Sequence, residues 1–124
     1  MRTLILIITL ASLVGCTRVS LDRHLDEAYR HYNEDNCDQA LLDLSRAERN
    51  SRSRNYVQPE ISLLRGQCLE RQRLFVDAAQ TYEFILRSYP ASEYAYRARA
   101  RLETLRQLGH YSTGEPAKAS PASL

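Results

Sequence analysis

Residues 75–94 read FVDAAQTYEFILRSYPASEY, a helical stripe, a breaker and the start of a second helix in twenty residues. Phe75, Ala78, Ala79, Tyr82, Ile85, Leu86 and Tyr89 recur at spacings of three and four, the period of one helical face. Pro90 lacks an N–H and ends that helix, and Ser92 offers a side-chain oxygen to cap the next. In the next helix Tyr94, Ala98, Leu102, Leu105 and Leu108 form the buried stripe, Glu93 and Arg97 pair on the outer face, and Gly109 is the expected C-terminal cap.

The same grammar extends toward the N-terminus. Cys37, Ala40, Leu41, Leu44 and Ala47 make a helix ending near Asn50, followed by the polar connector Ser51–Asn55. Laid on Phe75, Ala78, Ala79, Tyr82 and Ile85, these five residues match at an offset of 38, an internal repeat. Leu25, Ala28, Tyr29 and Tyr32 mark an earlier helix from about Leu21, broken at Asn33–Asn36. Pro59 suits the first turn of another, with Ile61, Leu64, Cys68 and Leu69 inward and a short break at Gln72–Arg73. Gly66 inside it costs about 1 kcal/mol relative to Ala, which points to a close helix crossing there. The expectation is an all-α domain over residues 22–109.

The first residues read differently. Met1-Arg2 precedes an apolar run from Thr3 to Leu13, shorter than the roughly 20 residues a bilayer-spanning helix needs. It ends in Leu13-Val14-Gly15-Cys16, which resembles the bacterial lipobox. That resemblance implies a signal peptide over residues 1–15, lipidation of Cys16, and a short tether over 16–21. Two or three acyl chains on one residue give lasting membrane attachment. Thr17, where Asp tends to hold such proteins at the inner membrane, implies the outer membrane facing the periplasm. Residues 110–124, rich in Ser, Ala and Pro, are expected to be a disordered tail.

With Gly66, Phe75, Ala78, Tyr82 and Pro90 in these places, the segment 22–108 resembles the tetratricopeptide (TPR) family, whose unit of about 34 residues is an antiparallel helix pair. Ala28, Ala40, Leu44 and Ala47 fit the earlier unit more loosely. That unit lacks the closing Pro, its connector is long, and the large aromatic near each unit's start is missing. The resemblance implies two units plus a C-terminal capping helix in a right-handed superhelical array. It is closest in character to the beta-barrel-assembly and TolA-binding TPR lipoproteins of the cell envelope. The implied function is a lipid-anchored periplasmic adaptor that binds protein partners of the envelope and is capable of homo-oligomerising. Two other readings stand beside it: a pilotin-like chaperone for a secretion-channel subunit, and a non-catalytic accessory to peptidoglycan or polysaccharide processing.

The sequence narrows the chemistry further. Seventeen basic residues against 15 acidic ones make no single-sign field for nucleic acid. Ser residues fall in caps, connectors and the tail, no phosphate loop or catalytic carboxylate pair stands out, and neither enzyme nor cofactor is expected. With Cys16 assigned to lipid, Cys37 and Cys68 remain as an even pair in an oxidising compartment. Antiparallel helices bring the start of one near the end of the next, so the two thiols either bridge or pack as small apolar groups. A bridge closing a loop of this size is worth about 3–4 kcal/mol. His24, Glu27 and His31 share a helix face at i, i+3, i+7, but nothing on that helix completes a tetrahedral site, so no metal is expected and a solvated or groove-lining surface is. Of the eight tyrosines, Tyr32, Tyr82 and Tyr89 suit core or inter-helix positions, while Tyr56, Tyr94 and Tyr96 suit a groove or its rim. In TPR folds the first helix of each unit lines the concave face, which makes Arg30, His31, Arg65, Arg97 and Arg101 the candidate partner-binding residues.

Overall fold

A computed structural model describes residues 2–112, with side chains from Arg18 onward. Among the described residues five α-helices follow one another: α1 Arg2–Asn33, α2 Cys37–Asn50, α3 Gln58–Arg71, α4 Phe75–Ser88 and α5 Glu93–Gln107, with a 3-10 turn at Asn55–Val57. The described residues hold no strand, so the chain is all-α as its periodicity requires. α1 continues without a break across 16–21, where a tether was expected. The side chains of the signal-like segment and of Cys16 lie outside the described ones, as do all of residues 113–124.

The repeat is written in the backbone. At the end of α1, Glu34, Asp35 and Asn36 donate their N–H groups to the carbonyls of Arg30, Tyr32 and His31. At the end of α3, Gln72, Arg73 and Leu74 do the same to Cys68, Glu70 and Leu69, 38 residues later in every member. The pattern appears a third time after α5, where Leu108, Gly109 and His110 bond to Thr104, Arg106 and Leu105. This is the Schellman closure, which needs one residue with positive φ. That residue is Asp35 (φ 59), Arg73 (φ 63) and Gly109 (φ 75) in turn. Only the third is glycine; the other two carry a Cβ in a region where L-residues are strained. Replacing Arg73 with Gly should therefore raise stability by about 0.5–1 kcal/mol, relief of strain offset by a looser unfolded chain. Urea denaturation of Arg73→Gly measures it, and a loss of stability would count against the turn as described.

α3 is the shared wall of two cores. Ile61 and Leu64 close on Leu21, Ala28, Leu44, Ala47 and Val57. Leu63, one position away, faces the other way, onto Ala78, Ala79, Tyr82, Ile85, Ala95, Ala98, Leu102 and Leu105. Each helix touches only its neighbours in sequence, except that α3 also meets α1 and α5. The repeat extends to the helix crossings, where Ala28 and Gly66 hold equivalent places opposite Leu44 and Tyr82. A Cβ on Gly66 would lie 2.4 Å from Cε1 of the fully buried Tyr82 ring, so the close crossing expected at this glycine is present.

Capping follows the local sequence. Asn36 accepts from the Gln39 N–H at the start of α2, and Ser92 accepts from the Ala95 N–H at the start of α5. Ser51, in the expected polar connector, is fully buried; it donates to the Glu48 carbonyl and accepts from the Gln58 amide. Leu108 departs from the expected stripe. α5 ends at Gln107, so the closing turn carries Leu108 outward to 63% exposure. His110 and Tyr111, read as the start of the tail, return to the body: His110 stacks on Phe75 at 3.8 Å between centroids, and Tyr111 donates to Glu83.

Candidate functional site

α1, α3 and α5 contribute side chains to one continuous face. Tyr29 on α1 donates from its hydroxyl to Glu60 on α3 at 2.9 Å. Tyr94 on α5 faces the same Glu60 carboxylate, and the charge of exposed Arg97 on α5 is felt at the Tyr29 hydroxyl. One to three turns further along, Glu70 on α3 receives both Nε (3.0 Å) and a terminal nitrogen of Arg101 on α5, a bidentate ion pair. The two cross-helix links, Tyr29–Glu60 and Glu70–Arg101, each span 31 residues. At the edge of the face the Arg71 guanidinium lies 3.6 Å from the centroid of the Tyr32 ring, and it donates to the Tyr32 carbonyl and to Asp35. Between these groups is a recess of about 240 Å³ lined by Tyr32, Gln67, Glu70, Arg71 and Arg101.

The electrostatics follow from partial burial. Desolvation, then the Glu60 carboxylate, push the Tyr29 hydroxyl well above the usual tyrosine range, and the same two causes lift Tyr94 to about 12. Tyr82, under the Glu70–Arg101 pair, is pushed up mainly by burial. The Glu70 hydrogen bonds hold Arg101 firmly protonated. These phenols keep their protons in the folded chain and lose them near pH 10 when unfolded. Their contribution to stability is thus complete below about pH 10 and drains away as the pH rises past it. A spectrophotometric tyrosine titration should show Tyr29, Tyr82 and Tyr94 ionising after the exposed tyrosines, well above pH 10. Smooth ionisation of all tyrosines near pH 10 with the helices intact would contradict their burial.

The sequence-derived candidates divide by helix face. Arg97 and Arg101 lie on the α1–α3–α5 face. Arg65 turns toward α2, pairing with Glu48 at 2.9 Å. His31 likewise points at α2, its Nδ1 2.8 Å from Asp43. Arg30 is exposed beside it and pairs with Glu34. Of the tyrosines expected at a groove or rim, Tyr94 is on this face, while Tyr56 and Tyr96 are open to solvent. Glu60, Glu70 and Arg71 went unread because their partners lie on other helices. Their one trace in the sequence is that Glu60, Gln67 and Arg71 share a helix face at i, i+7, i+11.

Cys37 and Cys68 meet in a small buried cluster with Ala40, both as free thiols. Burial first, and the adjoining Cys37 second, push the Cys68 thiol far up. Among the described residues no helix is long and apolar enough to cross a membrane. No family model, curated protein or solved structure matches the chain.

Proposed function

We propose that the chain is a TPR-type adaptor of the bacterial envelope, tethered by lipid on Cys16, whose α1–α3–α5 face docks a protein partner within an assembled complex. The observation that carries this reading is the thrice-repeated helix closure. It supports reading α1, α3 and α5 as equivalent members of an array, with α5 opening a third, partial unit and their outer strips side by side as one surface. That surface is rich in Tyr and Arg, the side chains that contribute most at protein interfaces. Its carboxylates are already paired internally, so the aromatic rings and Arg97 are what it presents to a partner. Helix pairs stacked in a right-handed superhelix are part of this reading, and so is the absence of catalysis.

The anchor rests on Leu13-Val14-Gly15-Cys16. Leu21 is buried and Ser20 accepts a hydrogen bond from Asn50, so the body begins four to five residues after Cys16, about 6–8 Å along a helix. In this reading the end of the array bearing exposed Arg18, Arg49, Arg52 and Tyr56 sits against lipid headgroups. Fractionation of cells carrying Cys16→Ser tests the tether: the wild type should follow the membranes and the variant should not. Equal partitioning would remove it. For docking, Arg97→Glu should abolish recovery of a discrete protein partner from detergent-solubilised envelopes, while Arg87→Glu on the far side of α4 should leave it intact.

A further inference from the structure

The contact between α1 and α2 holds a group of side chains that neither the fold nor the docking face uses. Among the described residues Asp43 is the one charged side chain that is fully buried, at 2% exposure. Its Oδ2 accepts from His31 Nδ1 at 2.8 Å and its Oδ1 from Arg46 at 3.0 Å. His24 and Glu27, on the turns of α1 before His31, face the same carboxylate. His24 Nδ1 is buried with no hydrogen-bond partner, an atom that normally finds one. It lies 3.6 Å from Glu27 Oε2, while Glu27 Oε1 is held by Arg23. One donor atom from each of His24, Glu27 and Asp43 falls within 4.8 Å of the others.

The repeat is an internal control for whether this group is structural. At the offset of 38, His24, Glu27, His31 and Asp43 correspond to Ser62, Arg65, Leu69 and Thr81 in the second helix pair. That pair closes with the same backbone turn and has no buried charge. The helix crossing therefore does not require a carboxylate–imidazole cluster, and burying one is unfavourable unless something compensates it.

We propose that His24 Nδ1, Glu27 Oε2 and a carboxylate oxygen of Asp43 form a binding site for a divalent transition-metal ion of the zinc class, clipping α1 to α2. An imidazole with two carboxylates suits a borderline cation rather than a purely oxygen-seeking one. Ligands held about 2.0–2.1 Å from one tetrahedral ion lie about 3.4 Å from each other, so the donors need shift by roughly 1 Å at most. The His31–Asp43 hydrogen bond then has the role of an outer-shell support that aims a metal-binding carboxylate. Arg23, 73% exposed, can swing into solvent as the ion enters. Sequence spacing left this site one ligand short on its own helix; the missing group comes from α2.

The test is a titration of chelator-treated, reduced full-length chain with Co2+, read by its visible d–d absorption, alongside Zn2+ with melting as the readout. One saturable Co2+ site with tetrahedral intensity and no thiolate charge-transfer band is expected, together with a Zn2+-dependent rise in Tm. His24→Ala and Glu27→Gln, both partly exposed positions, should each weaken binding at least tenfold and abolish the rise, with helicity and chelator-state Tm unchanged. His31→Asn should weaken it about tenfold through Asp43. Absence of saturable binding would overturn the proposal. So would binding indifferent to His24→Ala, or a thiolate band placing the ion on Cys37 and Cys68.

Discussion

Gly66→Ala should destabilise the chain by about 3 kcal/mol, because the added methyl has nowhere to go. It would meet the Tyr82 ring at 2.4–3.0 Å across three ring atoms, and that ring is fully enclosed by the second core. Overpacking of this kind costs about 1–3 kcal/mol and more where the neighbour cannot yield. The first helix pair shows how the conflict is resolved: there Ala28 stands opposite Leu44, both fully buried, a larger residue on one helix matched by a smaller one on the other. Gly66→Ala combined with Tyr82→Leu copies that arrangement into the second pair. The double variant should recover most of the loss, since the two positions touch and their effects are coupled. Equilibrium urea denaturation of the four-member cycle measures this. Additive losses would mean that α3 and α4 do not cross at Gly66.

Oxidation should act as strongly in the opposite direction. Cys37 and Cys68 already share a closed cluster, so converting the two thiols to a disulfide requires little rearrangement and closes a loop with 30 residues between its ends. The chain-entropy account values that at about 3–4 kcal/mol. With its raised pKa the Cys68 thiol is a poor nucleophile in the folded state. Bridging should therefore be fast during oxidative folding and slow in folded, reduced protein. Thiol counting before and after unfolding, with melting of both forms, checks each part. Two alkylatable thiols in protein isolated from an oxidising compartment, or an unchanged Tm after bridging, would contradict it.

Much of the fold was legible because helix periods and breakers are local. The stripes Cys37–Ala47 and Phe75–Ile85 set α2 and α4, Ser92 announced α5, and Gly66 announced the tight crossing. The two αL turns at Asp35 and Arg73 were not visible as such, since neither residue is glycine and only Gly109 carries the usual mark. Leu108 was misplaced because a stripe does not say at which residue its helix stops. The site was less legible than the fold. Tyr29–Glu60 and Glu70–Arg101 join residues 31 positions apart on different helices, and no periodicity within one helix reveals them. His31 and Arg65 illustrate the same gap: each lies on a first helix of its pair, yet its rotation turns it toward α2, which depends on how the helices pack. Asp43 reads in sequence as one more surface acid on α2. Only the α1–α2 contact encloses it.

In the proposed function a partner docks on the strips of α1, α3 and α5. Site-specific photo-cross-linking in growing cells tests it most directly, with the reactive side chain placed at Gln67 inside the recess and, separately, at Thr81 on α4. A discrete cross-linked protein from position 67 and none from position 81 is the expected result. Cross-linking from position 81 alone, or from neither position while the protein remains folded and abundant, would contradict docking on this face.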